Sequence, residues 1–400
     1  MARSSWRWLL VALVCAAGAG AAAGAQETCA RAAPPRRGAR VSVADFGGAG
    51  DGRTLNTEAF ARAVASDTSS WPLIEPLPSY GRGRELPGPR YISLIHGNGL
   101  KDVVITGNNG TIDGQGSVWW DMWKQGTLPY TRPHLLELRS SSDIIVSNIV
   151  FQDSPFWNIH PVYCSNVLVR NVTVLAPPDS PNTDGIDPDS SSSVCIEDCY
   201  ISTGDDAIGI KSGWDQYGIT YSRPSSDITI RRITGSSPFA GIAIGSETSG
   251  GVKNVLVEHL NFFGSGFGIH IKTNSGRGGF IRNITISDVT LDDVRYGLRI
   301  AGDVGGHPDD QYNRSALPIV DSLTIKNVKG QNIKEAGLIK GIAGSAFSKI
   351  CLSNVKFNGD GAPVRPWKCQ AVSGGAIDVQ PLPCTELTTT SGMSFCTNLL

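Results

Sequence analysis

The sequence predicts an all-β protein that folds as a single parallel β-helix. A phrase of one polar residue followed by three residues rich in Val and Ile recurs at intervals of 23 to 41 residues. Charged residues make up only 18% of the chain, which contains 47 glycines, and this composition is typical of turn-rich β structure. No amphipathic helices separate the strands, so stacked coils explain the pattern best. The phrase begins at Asp102, Asp143, Asn166, Ser193, Asp227, Asn254, Asn283, Ser322 and Lys349.

The irregular spacing of the phrase indicates loops inserted on one side of a solenoid. A β-propeller ranks second, because its four-stranded units are about 40–50 residues long. A solenoid also needs covered ends. We expect a short capping helix within residues 56–66 and a cysteine-bearing C-terminal tail that begins near Trp367.

The N-terminal residues predict a secreted protein. Arg3 and Arg7 precede an apolar run, and small residues at 23–25 form a cleavage site, so residues 1–25 are expected to be a signal peptide. Residues 26–40 are expected to be flexible, and residues 41–400 to form one catalytic domain. No later stretch reaches the roughly 18 apolar residues of a membrane span, which predicts no membrane association after cleavage.

The charge and cysteine content agree with a secreted protein. The formal net charge is −1, and nothing in the balance predicts nucleic-acid binding. Loss of the signal removes Cys15 and leaves eight cysteines, an even number compatible with disulfides. Cys369 and Cys384 are placed to staple the tail, while the other pairings stay open. Four N-glycosylation sequons point the same way; they lie at Asn109, Asn171, Asn283 and Asn313.

Three aspartates indicate where chemistry takes place. Asp184 precedes the adjacent pair Asp205 and Asp206 by 21 and 22 residues, close to one turn of a β-solenoid. Neighbouring parallel strands lie about 4.8 Å apart, so the three carboxylates are expected to meet. Crowded carboxylates do not all ionise at one pH, which suits glycosidic cleavage by one acid and one base. The alternative is that these acids only satisfy backbone donors at turns.

These motifs resemble those of glycoside hydrolase family 28, the polygalacturonases, in its plant branch. The resemblance runs from about residue 41 to the C-terminal cysteines. It rests on Asn-Thr-Asp-Gly-Ile-Asp at residues 182–187, Gly-Asp-Asp at 204–206 and Gly-Thr-Ile-Asp-Gly-Gln-Gly at 110–116. It implies a right-handed parallel β-helix that hydrolyses α-1,4-galacturonosyl bonds with inversion, without a metal or other cofactor.

The resemblance also implies roles for individual residues. Asp205 matches the general acid, and Asp184 and Asp206 match the carboxylates that hold and deprotonate water. An inverting arrangement is expected to separate the carboxyls by roughly 6.5–9.5 Å. Both neighbouring aspartates can serve one cleft only if the chain bends near Gly204. Asn182 is expected to orient this group or the sugar.

Four basic residues are candidates for binding substrate carboxylates. His270 and Lys272 stand where the family has Arg-Ile-Lys, so Lys272 keeps a cation, whereas His270 lacks the bidentate fork of an arginine. A packed or surface position without a substrate contact is an equal alternative for His270. Lys211 and Arg277 follow strands that carry site motifs, although solvated loop charges are an equal alternative for both.

Some family positions have changed. Ala240 stands where the site histidine is expected, and Ser236 and Ala207 replace two cysteines that pair in the family. Residues 51–65 match the N-terminal region of relatives, yet Trp71 follows almost at once. One to two turns near the N-terminus are therefore expected to be missing, which leaves a shortened N-terminal region.

The sequence thus predicts a secreted, monomeric hydrolase of the plant cell wall whose partner is a pectic polysaccharide. Two alternatives stay open. A pectate lyase shares the fold but uses calcium-assisted elimination, for which it needs calcium-binding acids and a basic residue. A non-catalytic pectin-binding relic is favoured by Ala240 and His270 and opposed by the three retained aspartates.

Overall fold

The computed structural model describes Cys29 and residues 71–397. The predicted signal peptide, the flexible segment at 26–40, the capping helix at 56–66 and the shortened N-terminal region lie outside the described residues. Among the residues described, no helix is long and apolar enough to cross a membrane.

Two stacks of parallel strands wind around one core as a right-handed parallel β-helix, which confirms the predicted fold class. The first stack, called the long sheet, has eleven strands. Its strands are Lys101–Asp113, Ser142–Gln152, Ser165–Arg170, Thr173–Leu175, Ser192–Ser202, Ser225–Ser236, Val252–Phe263, Phe280–Asp292, Ile319–Gln331, Phe347–Phe357 and Val372–Gln380.

The second stack, called the site sheet, consists of a three-stranded and a six-stranded part. Single bridges from Ile186 to Ile159 and to Ile208 join the two parts. Its strands are Ile95–Asn98, Leu136–Arg139, Ile159–Val162, Ile208–Ile210, Ala240–Ile244, Phe267–Lys272, Tyr296–Ala301, Glu335–Lys340 and Lys368–Gln370.

Short elements complete the described chain. An antiparallel pair precedes the solenoid, and helices occur in loops and in the tail. The strands of the pair are Leu73–Ile74 and Arg90–Tyr91; the α-helices are Ser117–Gln125, Asp215–Tyr221 and Thr390–Thr397; a 3₁₀ helix spans Thr385–Leu387.

The polar residue that opens each copy of the repeated phrase has a structural reason. All nine of these residues adopt φ between 53° and 58°, in the left-handed region, and each lies near the start of a strand of the long sheet. Asn and Asp tolerate this conformation better than most residues, which explains their recurrence. Their side chains also bond from turn to turn: Asn166 donates to Asp143 at 2.6 Å, and Asn283 donates to Asn254 at 2.8 Å.

Equivalent apolar residues stack between the two sheets. In the long sheet, Val257 pairs in register with Ile286, and Ile286 pairs with Ile325. All three side chains are buried in one continuous core. Each turn therefore covers the apolar side chains of the turn before it, as expected of a solenoid.

The C-terminal tail covers the last turns, as predicted. The helix Thr390–Thr397 packs on the final strands of the long sheet, and Leu387, in the 3₁₀ helix before it, is fully buried in the core. A disulfide joins Cys369 to Cys384, which confirms the expected staple, and a second joins Cys351 to Cys396. A third disulfide joins Cys29 to Cys195.

Truncation of one core isoleucine tests the stacking. Ile286→Ala removes a side chain that is 1% exposed, and we expect it to lower the free energy of unfolding by about 2–5 kcal/mol, because a cavity forms. Ile319→Ala, on the adjacent strand, is the matched control: its side chain is 52% exposed and its effect should stay within about 0.5 kcal/mol. Urea unfolding of both variants measures the difference; equal midpoints would contradict the stacked core.

Candidate active site

The three predicted aspartates come together on the outer face of the site sheet. Asp184 and Asp206 occupy equivalent positions on successive turns, because Ile186 pairs with Ile208 and the N–H of Gly185 donates to the carbonyl of Asp206 at 3.0 Å. The candidate oxygens of the three carboxylates, including Asp205, lie within 4.8 Å of one another. This spacing is shorter than the roughly 6.5–9.5 Å expected between the two carboxyls of an inverting glycosidase, so distance alone does not predict inversion.

A bend in the backbone lets Asp205 and Asp206 face one site. Residues 203–207 lie outside the strands, and the N–H of Asp206 donates to the carboxylate of Asp205 at 2.8 Å. Gly204 is required by close packing, since a Cβ there would lie 2.1 Å from the carbonyl oxygen of Ser180. The predicted bend at this glycine is confirmed.

Burial and mutual repulsion change the acidity of these groups. Burial, with the charges of Asp184 and Asp206, raises the pKa of Asp205 well above its usual value. Burial also raises the pKa of Asp184; Lys211 opposes this shift, and Asp206 adds to it. Asp205 therefore keeps its proton more readily than a free carboxyl does at mildly acidic pH, and its side chain is still partly exposed.

Two lysines stand against the other two acids. The Lys272 ammonium lies 2.5 Å from an oxygen of Asp206, and the Lys211 ammonium lies 3.1 Å from an oxygen of Asp184. Burial tends to lower the pKa of Lys272, but the charges of Asp206 and Asp205 outweigh burial and raise it. Both cations thus stay charged beside the acids and stabilise their ionised forms.

Lys211 lies deeper than the sequence indicated. Its side chain is buried, with its ammonium 3.5 Å from Asp187, 4.0 Å from Glu247 and 4.4 Å from the centre of the Trp157 ring. The expectation that Lys211 meets a substrate carboxylate receives no support from this position. Its contacts favour a role behind the three aspartates, where it offsets buried negative charge at Asp184.

Asn182 contacts Asp205, in agreement with its expected role. Its amide donates to the Asp205 carboxylate at 3.2 Å, and its carbonyl oxygen accepts from Arg132 at 3.0 Å. Arg132 is fully buried and is itself held by Glu85. Sequence reasoning missed Arg132, because only the fold brings it beside residue 182.

His270 takes the packed position that was one of its two alternatives, and Arg277 is buried. His270 is buried and stacks on Phe267 at 4.3 Å; burial, together with Lys272 and Arg299, lowers its pKa to about 2, so it is neutral. Arg277 is fully buried and bonds to Asp215 and to the carbonyl oxygen of Ser246, the latter at 2.7 Å. These contacts occupy its guanidinium, so the expected substrate contact of Arg277 is not supported.

The three acids offer oxygen ligands of the kind that hard divalent cations prefer. Lys272 and Lys211, however, already contact Asp206 and Asp184, and their charges oppose a bound cation. The arrangement therefore suits proton transfer better than metal binding.

Comparisons with known proteins identify the family. The sequence profile described as "Glycosyl hydrolases family 28" matches residues 84–380. The chain belongs to glycosyl hydrolase family 28. This family 28 member is 42% identical over 393 residues to a "Probable polygalacturonase" of Vitis vinifera, covering 87% of this chain and 80% of the relative. It is 33% identical over 390 residues to a "Probable polygalacturonase" of Arabidopsis thaliana, covering 87% and 81%.

Solved structures show the same fold for this family 28 protein. An exopolygalacturonase from Thermotoga maritima superposes with a TM-score of 0.70 at 26% identity, covering 90% of this chain and 96% of the other. A polygalacturonase from Erwinia carotovora superposes with a TM-score of 0.60 at 22% identity, covering 77% of each chain.

The position of the expected family histidine is structurally clear. Ala240 occupies the position equivalent to Asp206 on the next turn of the site sheet, since the N–H of Ala207 donates to the carbonyl of Ala240 at 2.8 Å. Ala240 is buried, and its own N–H donates to the Asp206 carboxylate at 3.1 Å. The backbone contact to the acid is thus present, while an imidazole is absent at this position.

The raised pKa of Asp205 predicts a pH dependence of stability. The folded chain binds this proton more tightly than the unfolded chain, where the pKa is about 3.9. The contribution to the free energy of unfolding is therefore fully present below about pH 4 and is lost as the pH rises through the folded pKa. Asp205→Asn has no carboxyl to ionise at this position and so avoids this loss. As the pH is raised from 4 to 7, the urea midpoint of the variant should therefore rise relative to that of the wild type.

Asp198→Asn is a control of opposite sign. The hydrogen bond from Arg232 lowers the pKa of Asp198, so its ionised form contributes stability that is lost as the pH falls. Relative to the wild type, the urea midpoint of this variant should be lower at pH 7 than at pH 4. Parallel behaviour of the two variants would refute the assigned shifts.

Proposed function

We propose that this protein hydrolyses α-1,4-galacturonosyl bonds of pectin by inverting acid–base catalysis. The observation that carries the proposal is the cluster of Asp184, Asp205 and Asp206, in which two acids contact lysines and burial raises the pKa of the third, Asp205. Membership of family 28 and the polygalacturonase relatives supply the substrate class.

In this mechanism the protonated Asp205 donates to the glycosidic oxygen as the bond to the anomeric carbon breaks. A water molecule attacks that carbon from the opposite face and loses its proton to the pair Asp184 and Asp206. Asn182 orients Asp205 through its amide. Lys272 forms an ion pair with Asp206 and stands close enough to the acids to attract a uronate carboxylate.

We further propose that the protein is secreted to the plant cell wall and acts as a monomer on pectic polysaccharide. Support for secretion comes from the signal-like residues 1–25, the sequons and the plant relatives. The three disulfides fit an oxidising compartment.

A pectin-binding relic is the second candidate, and the observation that favours it is Ala240. The residue that tunes the acid in the family is missing, and acid–base catalysis contributes typically ~10²–10⁴-fold to rate. Retention of the whole carboxylate–lysine cluster argues for turnover, because buried acids crowded together are costly in a protein that only binds.

Substitution of the acids tests the mechanism. Asp205→Asn should lower the rate of reducing-end release from polygalacturonate by about 10²–10⁴-fold, because the general acid is lost. Asp184→Asn and Asp206→Asn should have losses of similar order. Asp198→Asn, in the long sheet, should retain wild-type activity. Wild-type activity should also fall as the pH rises through the raised pKa of Asp205.

The assay is run with chelator present, and its products separate the alternatives. Hydrolysis gives saturated products, whereas a lyase gives an unsaturated uronide that absorbs ultraviolet light. Proton NMR of early products reports the anomer, and a β-anomer identifies inversion. A folded wild type that binds polygalacturonate without cleaving it supports the relic instead.

A further inference from the structure

Two successive strands of the site sheet carry the same pattern of side chains. Phe267–Lys272 reads Phe-Gly-Ile-His-Ile-Lys, and Tyr296–Ala301 reads Tyr-Gly-Leu-Arg-Ile-Ala. The strands pair in register, so Phe267 lies beside Tyr296 and His270 lies beside Arg299. The second copy thus places an arginine one turn beyond the position where the family resemblance led us to expect one.

The aromatic side chains of these strands form one surface beside the acids. The ring of Phe267 stacks on Tyr296 at 5.2 Å and on His270 at 4.3 Å. Phe267 follows Ala240 in the register of the sheet, and Ala240 in turn follows Asp206. Phe267 and Tyr296 are partly exposed. The aromatic surface therefore extends from the acids over the next turns of the site sheet.

Arg299 differs from the other cations near the acids. Lys211 and Lys272 contact acids, and Arg277 contacts Asp215. Arg299, by contrast, has no ion pair with any carboxylate of the described residues, and its Nε lacks a hydrogen-bond partner there. Its guanidinium lies 5.5 Å from the centre of the Phe267 ring, a cation–π contact; the Nε is buried, but the side chain is partly exposed, so its terminal nitrogens can meet a ligand.

We propose that Arg299 binds a carboxylate of the substrate while Phe267 and Tyr296 support the sugar ring that carries it. This inference rests on the proposed pectic substrate. A guanidinium presents a planar fork that matches a carboxylate, and aromatic faces contact the apolar faces of sugars. The cation expected at His270 is thereby supplied about 4.8 Å away, from the next turn.

The displacement has a consequence for selectivity. His270 is neutral and stacked on an aromatic ring, so the sugar unit above it meets no arginine. The carboxylate of the neighbouring sugar unit binds to Arg299. The site therefore tolerates a methyl ester over His270 and discriminates against one over Arg299.

Binding in a non-hydrolysing background tests Arg299 directly. Asp205→Asn protein with and without Arg299→Gln is titrated with hexagalacturonate by calorimetry. Loss of a charged hydrogen-bonding partner is expected to weaken binding about 10- to 100-fold. Arg299→Lys, which keeps the charge but lacks the fork, should recover part of the loss. The fully methyl-esterified hexamer should bind equally with either residue at position 299.

Arg282→Gln in the same background is the matched control. Its guanidinium also lies over a phenylalanine ring, 4.4 Å from the centre of Phe280, and its Nε also lacks a partner among the described residues, but it lies on the long sheet. It should leave affinity unchanged. Equal affinity of the Arg299→Gln and Arg282→Gln proteins would overturn the inference, as would failure of the parent protein to bind hexagalacturonate.

The outcome is separable from the test of hydrolysis. An inactive wild type whose binding depends on Arg299 supports this inference and contradicts the proposed catalysis. An active wild type whose affinity is independent of Arg299 does the reverse. Circular dichroism of each variant verifies that it is folded.

Discussion

In-register stacking is the constraint on which the rest of this structure depends. Each turn of the solenoid places a residue directly over its equivalent on the turn before, about 4.8 Å away. Apolar residues therefore meet apolar residues in the core, and left-handed Asn and Asp residues bond to one another at the corner of the long sheet. The same rule brings Asp184 onto Asp206, so the site follows from the period of the fold.

Stacking acids on acids has an energetic cost, and the structure offsets it with cations from later turns. Lys211 lies one turn after Asp184, and Lys272 lies two turns after Asp206 along the site sheet; both side chains reach back to these acids. The remaining carboxyl, Asp205, forms no ion pair with a lysine within the described chain, and burial together with its two acidic neighbours raises its pKa well above the usual value. Identical residue types are thus given different surroundings by their neighbours: Asp184 and Asp206 each lie beside a lysine, and Asp205 does not.

Much of this arrangement was predictable from sequence, because it depends on period. The repeated phrase predicted the solenoid, the separation of Asp184 from Asp205 predicted their meeting, and Gly204 predicted the bend. The contacts of Asn182 with Arg132 and of Lys211 with Glu247 were not predictable, since loops bring these residues together without any regular spacing. The burial of individual side chains was not predictable either. Arg277 has the sequence context of a surface base, but its side chain is fully buried and pairs with Asp215.

The covered C-terminal end has a consequence for how the molecule behaves towards its own copies. An uncovered last turn would present the open edges of two sheets at once, and such edges are templates for the strands of another chain. The tail closes this end, and the bonds Cys351–Cys396 and Cys369–Cys384 hold it there when local contacts open transiently. Formation of these two disulfides thus keeps the last strands covered, so that they cannot pair with the strands of another copy. Since disulfides form in an oxidising compartment, folding there also protects the protein against end-to-end polymerisation.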